Sequence, residues 1–180
     1  MTLETDFLKS AADTLAENLD RIETCLTELP PPALWARDSE NENAVGNLLL
    51  HLEGNVRQWI LSGIGAGSDE RDRPSEFSAR TGADASVLFA KLRGTVGEAL
   101  ALIRSLPHRR LTEEVSIQGS DTTVLSAIFH VVEHFSGHTY QIILLTKRFT
   151  GKDLGFYRYL DKTGRKETEQ EPGNLPAGSE

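Results

Sequence analysis

Three of the five histidines in this 180-residue chain stand four residues apart, in the stretch from His130 through His134 to His138. In an α-helix, residues four apart lie on neighbouring turns of one face. Two imidazoles need this geometry to bind one metal ion. A fourth histidine, His51, lies in a separate segment with helical periodicity, so the fold could bring a third ligand to the same face.

Helical-wheel positions distinguish the three histidines of this stretch. At about 100° per residue, His138 falls inside the apolar sector, His134 lies about 40° away at its edge and His130 about 80° away on the flank. Burying an unpaired polar ring costs about 1–3 kcal/mol, so these histidines need partners. Carbonyls, hydroxyls and water could supply them, or a metal ion could. The repeated spacing, together with His51, favours the metal.

The residue types restrict the kind of metal site. Three protein ligands with an open position are typical of a catalytic site, whereas structural zinc usually takes four ligands and much cysteine. Imidazole suits Zn, Ni, Cu and Fe, so ligand type alone does not select the ion. The sequence does not contain the set of Glu-x-x-His motifs and further glutamates that a di-iron carboxylate bundle requires.

A competing motif overlaps the histidine stretch. His130-Val-Val-Glu133-His134 matches H-x-x-E-H, the pattern of inverzincin proteases, in which the glutamate is the catalytic base. On the wheel, Glu133 lies about 140° from His138, away from the predicted core. We therefore interpret Glu133 as a solvent-exposed residue.

Apolar periodicity predicts four long helices that would position these histidines. Proline ends the first and the third, Asp84 is a good N-cap for the third, and Gly151 a plausible end for the fourth. The predicted helices span residues 3–29, 43–62, 84–106 and 122–151. Four helices of this length with one long crossover connection predict an all-α four-helix bundle.

The connecting segments are less regular. Residues 63–83 are rich in glycine, serine and charge, which predicts a long surface loop that Phe77 could pin. Residues 108–121 show the only strand-like alternation and predict either a short hairpin or an extended connection. His108, within that segment, is interpreted as an ordinary surface residue. Residues 1–161 are predicted to form one domain and 162–180 a disordered tail, because the tail composition cannot build a core.

Composition narrows the class of protein. The net charge of -8 argues against nucleic-acid binding and against docking on an anionic membrane. No apolar run approaches the roughly 20 residues that span a bilayer, and the N-terminus lacks a signal-peptide core. The one cysteine, Cys25, cannot form an internal disulfide and falls on an apolar stripe, so it is predicted to be a buried core residue. A cytoplasmic location fits these observations.

Two histidine segments carry a family resemblance. Leu49-Leu50-His51-Leu52 precedes the run from Gly54 to Ile60, and His130-x3-His134-x3-His138-x2-Gln141 follows far downstream. This pattern resembles the DinB/YfiT-like superfamily of bacterial four-helix-bundle proteins, over about residues 5–160. In the superfamily, the last of these segments usually reads His-Arg-Gly-Gln, whereas residues 138–141 of this chain read His-Thr-Tyr-Gln. The histidine that the resemblance implies as a metal ligand is therefore present, and the arginine is absent.

The resemblance implies a metal site formed by His51, His134 and His138, with His130 as a neighbour. The implied ion is divalent, with Zn or Ni ahead of Fe or Mn. Some members of the superfamily join a low-molecular-weight thiol to an electrophile, and others resemble isomerases or hydrolases. His51 lies on the flank of its predicted helix, which suits either a site at an open mouth of the bundle or a surface histidine that binds nothing.

Two hypotheses from different classes therefore stand. In the first, the chain is a metal-dependent enzyme that acts on a small molecule, by thiol S-transfer or by hydrolysis. In the second, it is a non-enzymatic bundle, stress-related or partner-binding, whose histidines are structural. In either case, the frequency of two-fold symmetric oligomers leads us to expect a homodimer.

Overall fold

The computed structural model describes residues 2–158, which are mostly helical with one small antiparallel sheet. The elements are α1 (Leu3–Glu28), α2 (Val45–Val56), α3 (Arg73–Ser78), α4 (Ala85–Ser105), β1 (Glu114–Ile117), β2 (Ser120–Thr123) and α5 (Val124–Thr150). The helix α2 continues without a break into a π-helical turn, Arg57–Ser62. Short 3₁₀ turns follow α1 and α4, at Pro31–Trp35 and His108–Thr112.

Local chemistry accounts for the ends of the two longest helices. The side chain of Thr2 accepts a hydrogen bond from the backbone N–H of Thr5, and that of Thr123 does the same for Ser126. Each cap satisfies a backbone donor that the first turn of a helix leaves unpaired. Helix α5 ends at Gly151, whose φ of 66° lies in the left-handed region that glycine adopts without a steric penalty.

The four long helices pack in pairs around one core. Helices α1 and α2 each pack against both α4 and α5. Helices α1 and α5 run in the same direction, because Asn18 bonds to Ser136 and Arg21 to Tyr140 along their shared seam. Core side chains that are completely buried come from all four helices: Leu15, Ile22, Leu52, Ile60, Leu92, Ile103, Ile128, Phe135 and Ile142.

A tight hairpin joins α4 to α5. Strands β1 and β2 pair in antiparallel register from Glu114 opposite Thr123 to Ile117 opposite Ser120. The two turn residues, Gln118 and Gly119, both have positive φ, which is the backbone of a two-residue hairpin turn. Of the two predicted alternatives for this segment, the short hairpin is therefore correct.

The structure confirms the predominance of helix and corrects several boundaries. Helix α2 starts at Val45 rather than Asn43, and α5 at Val124 rather than Thr122. The predicted loop 63–83 contains the short helix α3, because Asp72 caps its first turn and Pro74 suits an initial helical position. The predicted disordered tail, 162–180, lies outside the described residues. Within residues 2–158, no helix is long and apolar enough to cross a membrane.

Cys25 is completely buried, as the apolar stripe predicts. Burial raises the pKa of its thiol to about 11, an effect that a hydrogen bond with Thr146 only partly offsets. We expect the native protein to be unreactive towards 5,5′-dithiobis(2-nitrobenzoic acid) at pH 8, and the guanidinium-unfolded protein to release one equivalent of chromophore. Rapid labelling of the native chain would contradict the buried position of this thiol.

Candidate metal centre

Three histidines from two helices converge in the interior of the helix packing. One side-chain nitrogen from each of His51, His134 and His138 lies within 4.8 Å of the others. The Nε2 atoms of His51 and His134 are 2.8 Å apart, and the ring of His138 lies 4.9 Å from that of His51. His51 is only 3% exposed, whereas the other two are partly buried. The three candidate ligands predicted from the sequence therefore lie together and could hold a metal ion.

The antiparallel crossing of α2 and α5 produces this arrangement. His51 faces His134 and His138. Trp59 lies two turns further along α2 and its π-helical extension, and its ring packs at a tilt against His130 with ring centroids 4.2 Å apart. The four-residue spacing on α5 keeps its three histidines on one face. Sequence spacing thus accounts for the candidate ligands of α5, and the crossing of the helices adds His51.

Glu76 sets the orientation of the His51 ring. Its Oε2 atom lies 2.8 Å from His51 Nδ1. A carboxylate oxygen can only accept, so Nδ1 carries the hydrogen and Nε2 keeps its lone pair. That lone pair faces His134. A carboxylate on the far nitrogen of a histidine is the usual outer partner of a metal ligand, because it fixes the tautomer and makes the ligating nitrogen more basic.

His138 is oriented by a comparable contact. Its Nδ1 atom lies 2.9 Å from Oε1 of Gln141, three residues later on α5. An amide oxygen is an acceptor, so Nδ1 donates here as well, and Nε2 is left with the lone pair. Two of the three imidazoles therefore have one nitrogen committed to an oxygen and the other available to a metal ion.

Arg71 holds Glu76 in place. Its Nε donates to Oε1 over 2.7 Å and its Nη2 to Oε2 over 2.9 Å, which is a bidentate pair. Nη2 also lies 3.1 Å from His51 Nδ1, but both nitrogens are donors towards the same Glu76 oxygen, so that contact is not a hydrogen bond. Burial alone would raise the pKa of the Glu76 carboxyl, but the hydrogen bonds from Arg71 and His51 outweigh it and hold the pKa below its usual range.

The segment that carries Arg71 and Glu76 is fastened to α2. The side-chain amide of Asn47 donates to the backbone carbonyls of Glu76, at 2.8 Å, and of Ala79, at 2.9 Å. The ring of Phe77 lies 4.7 Å from the ring of His51. The prediction that Phe77 pins this connection agrees with that contact. On the helical wheel, His51 lies on a flank of α2, outside the centre of the apolar sector. It is buried because this segment covers that flank.

Sequence reasoning missed Arg71 and Glu76. Both lie in a stretch with no apolar periodicity, where charged residues are ordinarily solvent-exposed. The available signal was the sequence Asp72-Arg73-Pro74, an N-cap followed by proline, which is typical of a helix start and argues against a featureless loop.

The environment keeps the α5 histidines uncharged at neutral pH. Burial, reinforced by the neighbouring histidines and Arg71, lowers the pKa of His134 to about 3. Burial, with a contribution from His51, also lowers the pKa of His138, although its bond to Gln141 acts in the opposite direction. Neutral imidazole is the charge state that binds a metal, so neither ring needs to lose a net proton to do so.

The remaining predicted residues lie at the edge of the cluster or away from it. His130 lies between Trp59 and His134, stacked on the His134 ring, and is a neighbour of the cluster, as the resemblance implies. Glu133 is exposed, as the wheel predicts, which removes the base that an inverzincin site would need. His108 is also exposed and contacts Thr5 at the far end of α1.

Two buried polar groups beside the histidines have no hydrogen-bond partner among residues 2–158. They are Oδ1 of Asn55 and Nε1 of Trp59, an acceptor and a donor. Asn55 lies one turn and Trp59 two turns after His51, on the side of α2 that faces α5. Buried polar atoms are rarely left unpaired, so these two mark a place where a ligand or solvent can bond next to the cluster.

The donor set fits a divalent transition metal. Three imidazoles with neutral, oriented rings are a common ligand set for such ions. The His51 and His134 nitrogens, 2.8 Å apart, are both within reach of one ion bonded at about 2.0–2.1 Å. Within residues 2–158, no cysteine or carboxylate belongs to this cluster, which argues against a closed structural zinc site.

Comparison with known proteins identifies a matching family and a solved structure with a similar fold. A model of the family described as "Protein of unknown function (DUF1572)" matches residues 2–158. The structure is similar to the crystal structure of a conserved protein from Enterococcus faecalis, with a TM-score of 0.70 and 13% sequence identity, covering 84% of this chain and 99% of that chain. At this identity the likeness concerns the fold alone. None of the curated proteins matches the chain.

Gly54 provides a direct test of the arrangement around Glu76. A Cβ atom at Gly54 would lie 2.2 Å from Glu76 Oε1 and 2.9 Å from Arg71 Nε, so the buried pair must move in Gly54→Ala. We expect the free energy of unfolding of the metal-free protein, measured with urea, to fall by about 1–3 kcal/mol.

Gly97→Ala is the matched control, because Gly97 is an exposed position within α4 where an added Cβ meets nothing within 4 Å. It should raise the free energy of unfolding by about 0.5–1 kcal/mol through helix propensity. An equal gain in stability for Gly54→Ala would contradict the close packing of Arg71 and Glu76 on α2.

Proposed function

The chain belongs to the DUF1572 family, and we propose that it is a metal-dependent enzyme built on a four-helix bundle of the DinB/YfiT-like superfamily. The observation that carries the proposal is the convergence of His51, His134 and His138, with ligand atoms within 4.8 Å of one another. The orientation of two of the rings by Glu76 and Gln141 supports it further.

The helix packing supports the bundle. Helices α1, α2, α4 and α5 each contact two of the others. Contacts from Glu53 to Thr95 and from Gly65 to Leu102 indicate that α2 and α4 run in the same direction. Because α2 and α4 are parallel, the connection between them must run back along the length of the helices, and residues 63–84 form that long connection. The proposed topology is therefore a bundle with one long crossover, and that crossover carries Arg71 and Glu76.

The proposed ligands are the Nε2 atoms of His51, His134 and His138. An all-imidazole set favours Zn or Ni over Fe or Mn, which more often take carboxylate ligands as well. Three neutral ligands would leave both positive charges of a divalent ion uncompensated, so an anion such as a thiolate or hydroxide would be the preferred fourth ligand. When bound, the ion would supply Lewis acidity and lower the pKa of a coordinated thiol or water.

The protein's own residues would orient and surround the reacting molecule. Glu76, held by Arg71, keeps the His51 lone pair directed at the cluster. The unpaired groups of Asn55 and Trp59 offer a substrate one acceptor and one donor. Phe77 covers the His51 ring and restricts access of water from that side. These roles suit a small-molecule substrate.

We propose two reaction classes for the site. One is transfer of a low-molecular-weight thiol to an electrophile, in which the thiolate is the attacking group. The other is hydrolysis, in which hydroxide takes that place. The net charge of -8 gives no support to a nucleic-acid substrate. The site and its surroundings fit both classes.

Metal content tests the proposal directly. Protein purified without a polyhistidine tag is expected to contain about one Zn or Ni per chain by plasma mass spectrometry, or to take up one equivalent after chelator treatment. His134→Ala should lose the metal while keeping the helical circular dichroism spectrum. His108→Ala, which removes an exposed histidine distant from the cluster, should retain it.

The melting temperature provides a second readout. A ligand present at 100 times its dissociation constant stabilises the folded state by about 2.7 kcal/mol, so added Zn or Ni should raise the melting temperature of the wild type and not of His134→Ala. Absence of metal in the wild type, with no thermal response to either ion, would contradict the proposal. The histidines would then be structural, in a bundle without enzymatic activity.

A further inference from the structure

A line of large apolar side chains is exposed on the outer side of α5 and the adjacent start of α1. Exposed fractions are 83% for Leu3, 40% for Leu125, 60% for Phe129, 50% for Tyr140 and 67% for Leu144. Together with the partly buried Phe7 of α1, these five side chains form a surface that we call the α1–α5 face. Helical spacing puts the α5 members on one side of that helix, opposite the side that carries His134 and His138.

The face contains depressions as well as projections. A shallow cavity of about 200 Å³ lies between the two helices beside Phe129. Small residues of α1 form its floor, which is why it is hollow: its lining is Phe7, Ser10, Ala11, Thr14, Phe129 and Val132. A second cavity of about 450 Å³ adjoins it and includes Leu3, Phe7, Leu111 and Leu125 in its lining.

The exposed area approaches what an interface needs. Taking roughly 150–200 Å² for a fully exposed large side chain, the five exposed fractions correspond to about 500 Å² of side-chain surface. Monomers rarely expose larger apolar patches, and patches of this size often mark interaction sites. A stable interface takes about 800 Å² from each partner, and a polar rim ordinarily supplies the remainder.

The face is not free of charge: Glu133 and Lys147, both exposed, lie on the same side of α5 as Phe129 and Leu144. The cation nearest to Tyr140 is Arg21, which donates to the Tyr140 hydroxyl over 2.9 Å and pairs with Glu17 in the preceding turn. The Arg21 side chain is already only 17% exposed. Its partners lie within the same chain, so covering Tyr140 would not remove them.

We propose that the α1–α5 face is the interface of a two-fold symmetric homodimer. A projecting aromatic, Phe129, and a hollow floored by small residues lie on the same face. In a two-fold interface each copy presents both parts to the other, so one surface can be complementary to itself. A partner of different sequence could supply the matching projection or hollow itself, so this chain would not need both on one face. This interface leaves the histidine cluster uncovered, so the proposal does not depend on metal binding.

Sedimentation velocity of the full chain tests the proposal, with Phe129→Glu as the variant. The wild type should sediment at twice the 19.8 kDa of one chain at micromolar concentration. Phe129→Glu would place a charge in the covered face and should raise the dimer dissociation constant at least about 30-fold. Leu144→Glu, at the other end of the face, should weaken the dimer as well.

Val87→Glu is the matched control, because Val87 is 58% exposed on α4, outside the face. It should remain dimeric, and all three variants should keep the wild-type circular dichroism spectrum. A monomeric wild type would overturn the proposal and leave the face to a different partner. Dimers that persist in both Phe129→Glu and Leu144→Glu, or that are lost in Val87→Glu, would overturn it too. Metal content, measured on the same samples, reports on the histidine site separately.

Discussion

The hydrogen bond between Glu76 and His51 is the interaction on which the candidate site depends. His51 is almost completely buried, and an unpaired imidazole there would cost about 1–3 kcal/mol. Glu76 pairs it, but a buried carboxylate needs compensation of its own, which Arg71 supplies through two hydrogen bonds. Removing one partner from such a buried pair ordinarily costs about 3–5 kcal/mol. The site is therefore joined to the fold through one connected set of polar contacts.

The polar contacts of Glu76, Arg71 and Asn47 explain why the crossover between α2 and α4 is ordered where it passes the site. Asn47 binds the backbone at the end of α3, and Gly54 leaves room for the Arg71–Glu76 pair to lie directly on α2. The π-helical turn that begins at Arg57 follows immediately, and π-helical turns often occur at functional sites. One face of α2 thus holds the polar supports, and the neighbouring face presents His51, Asn55 and Trp59 to α5.

The two sides of α5 have separate roles in this account. His130, His134 and His138 lie on the side that faces α2, with pKa values lowered chiefly by burial. Phe129 and Leu144 lie on the outer side, exposed and apolar. Both features depart from the usual amphipathic pattern, which α5 otherwise follows by burying its other apolar side chains. The proposed metal site and the proposed dimer interface would account for these two departures.

The sequence predicts the part of this arrangement that periodicity controls. The wheel of α5 separated His134 and His138 from His130 and placed Glu133 in solvent, because residues of a regular helix have fixed angular positions. The same method was ambiguous for His51, whose burial depends on what covers the flank of α2. Arg71 and Glu76 provide that cover from an irregular segment, and a contact between residues 25 apart, such as His51 with Glu76, leaves no periodic trace in a sequence. The sequence predicts either a hairpin or an extended connection between α4 and α5, because strands of only four residues give too little alternation to decide between them.

Anomalous diffraction at the zinc absorption edge, from crystals grown with one equivalent of zinc per chain, tests the central claim most directly. The account predicts one peak at about 2.0–2.1 Å from Nε2 of each of His51, His134 and His138, with Glu76 still bonded to Nδ1 of His51. A peak held by other residues, or no peak at the cluster, would contradict it.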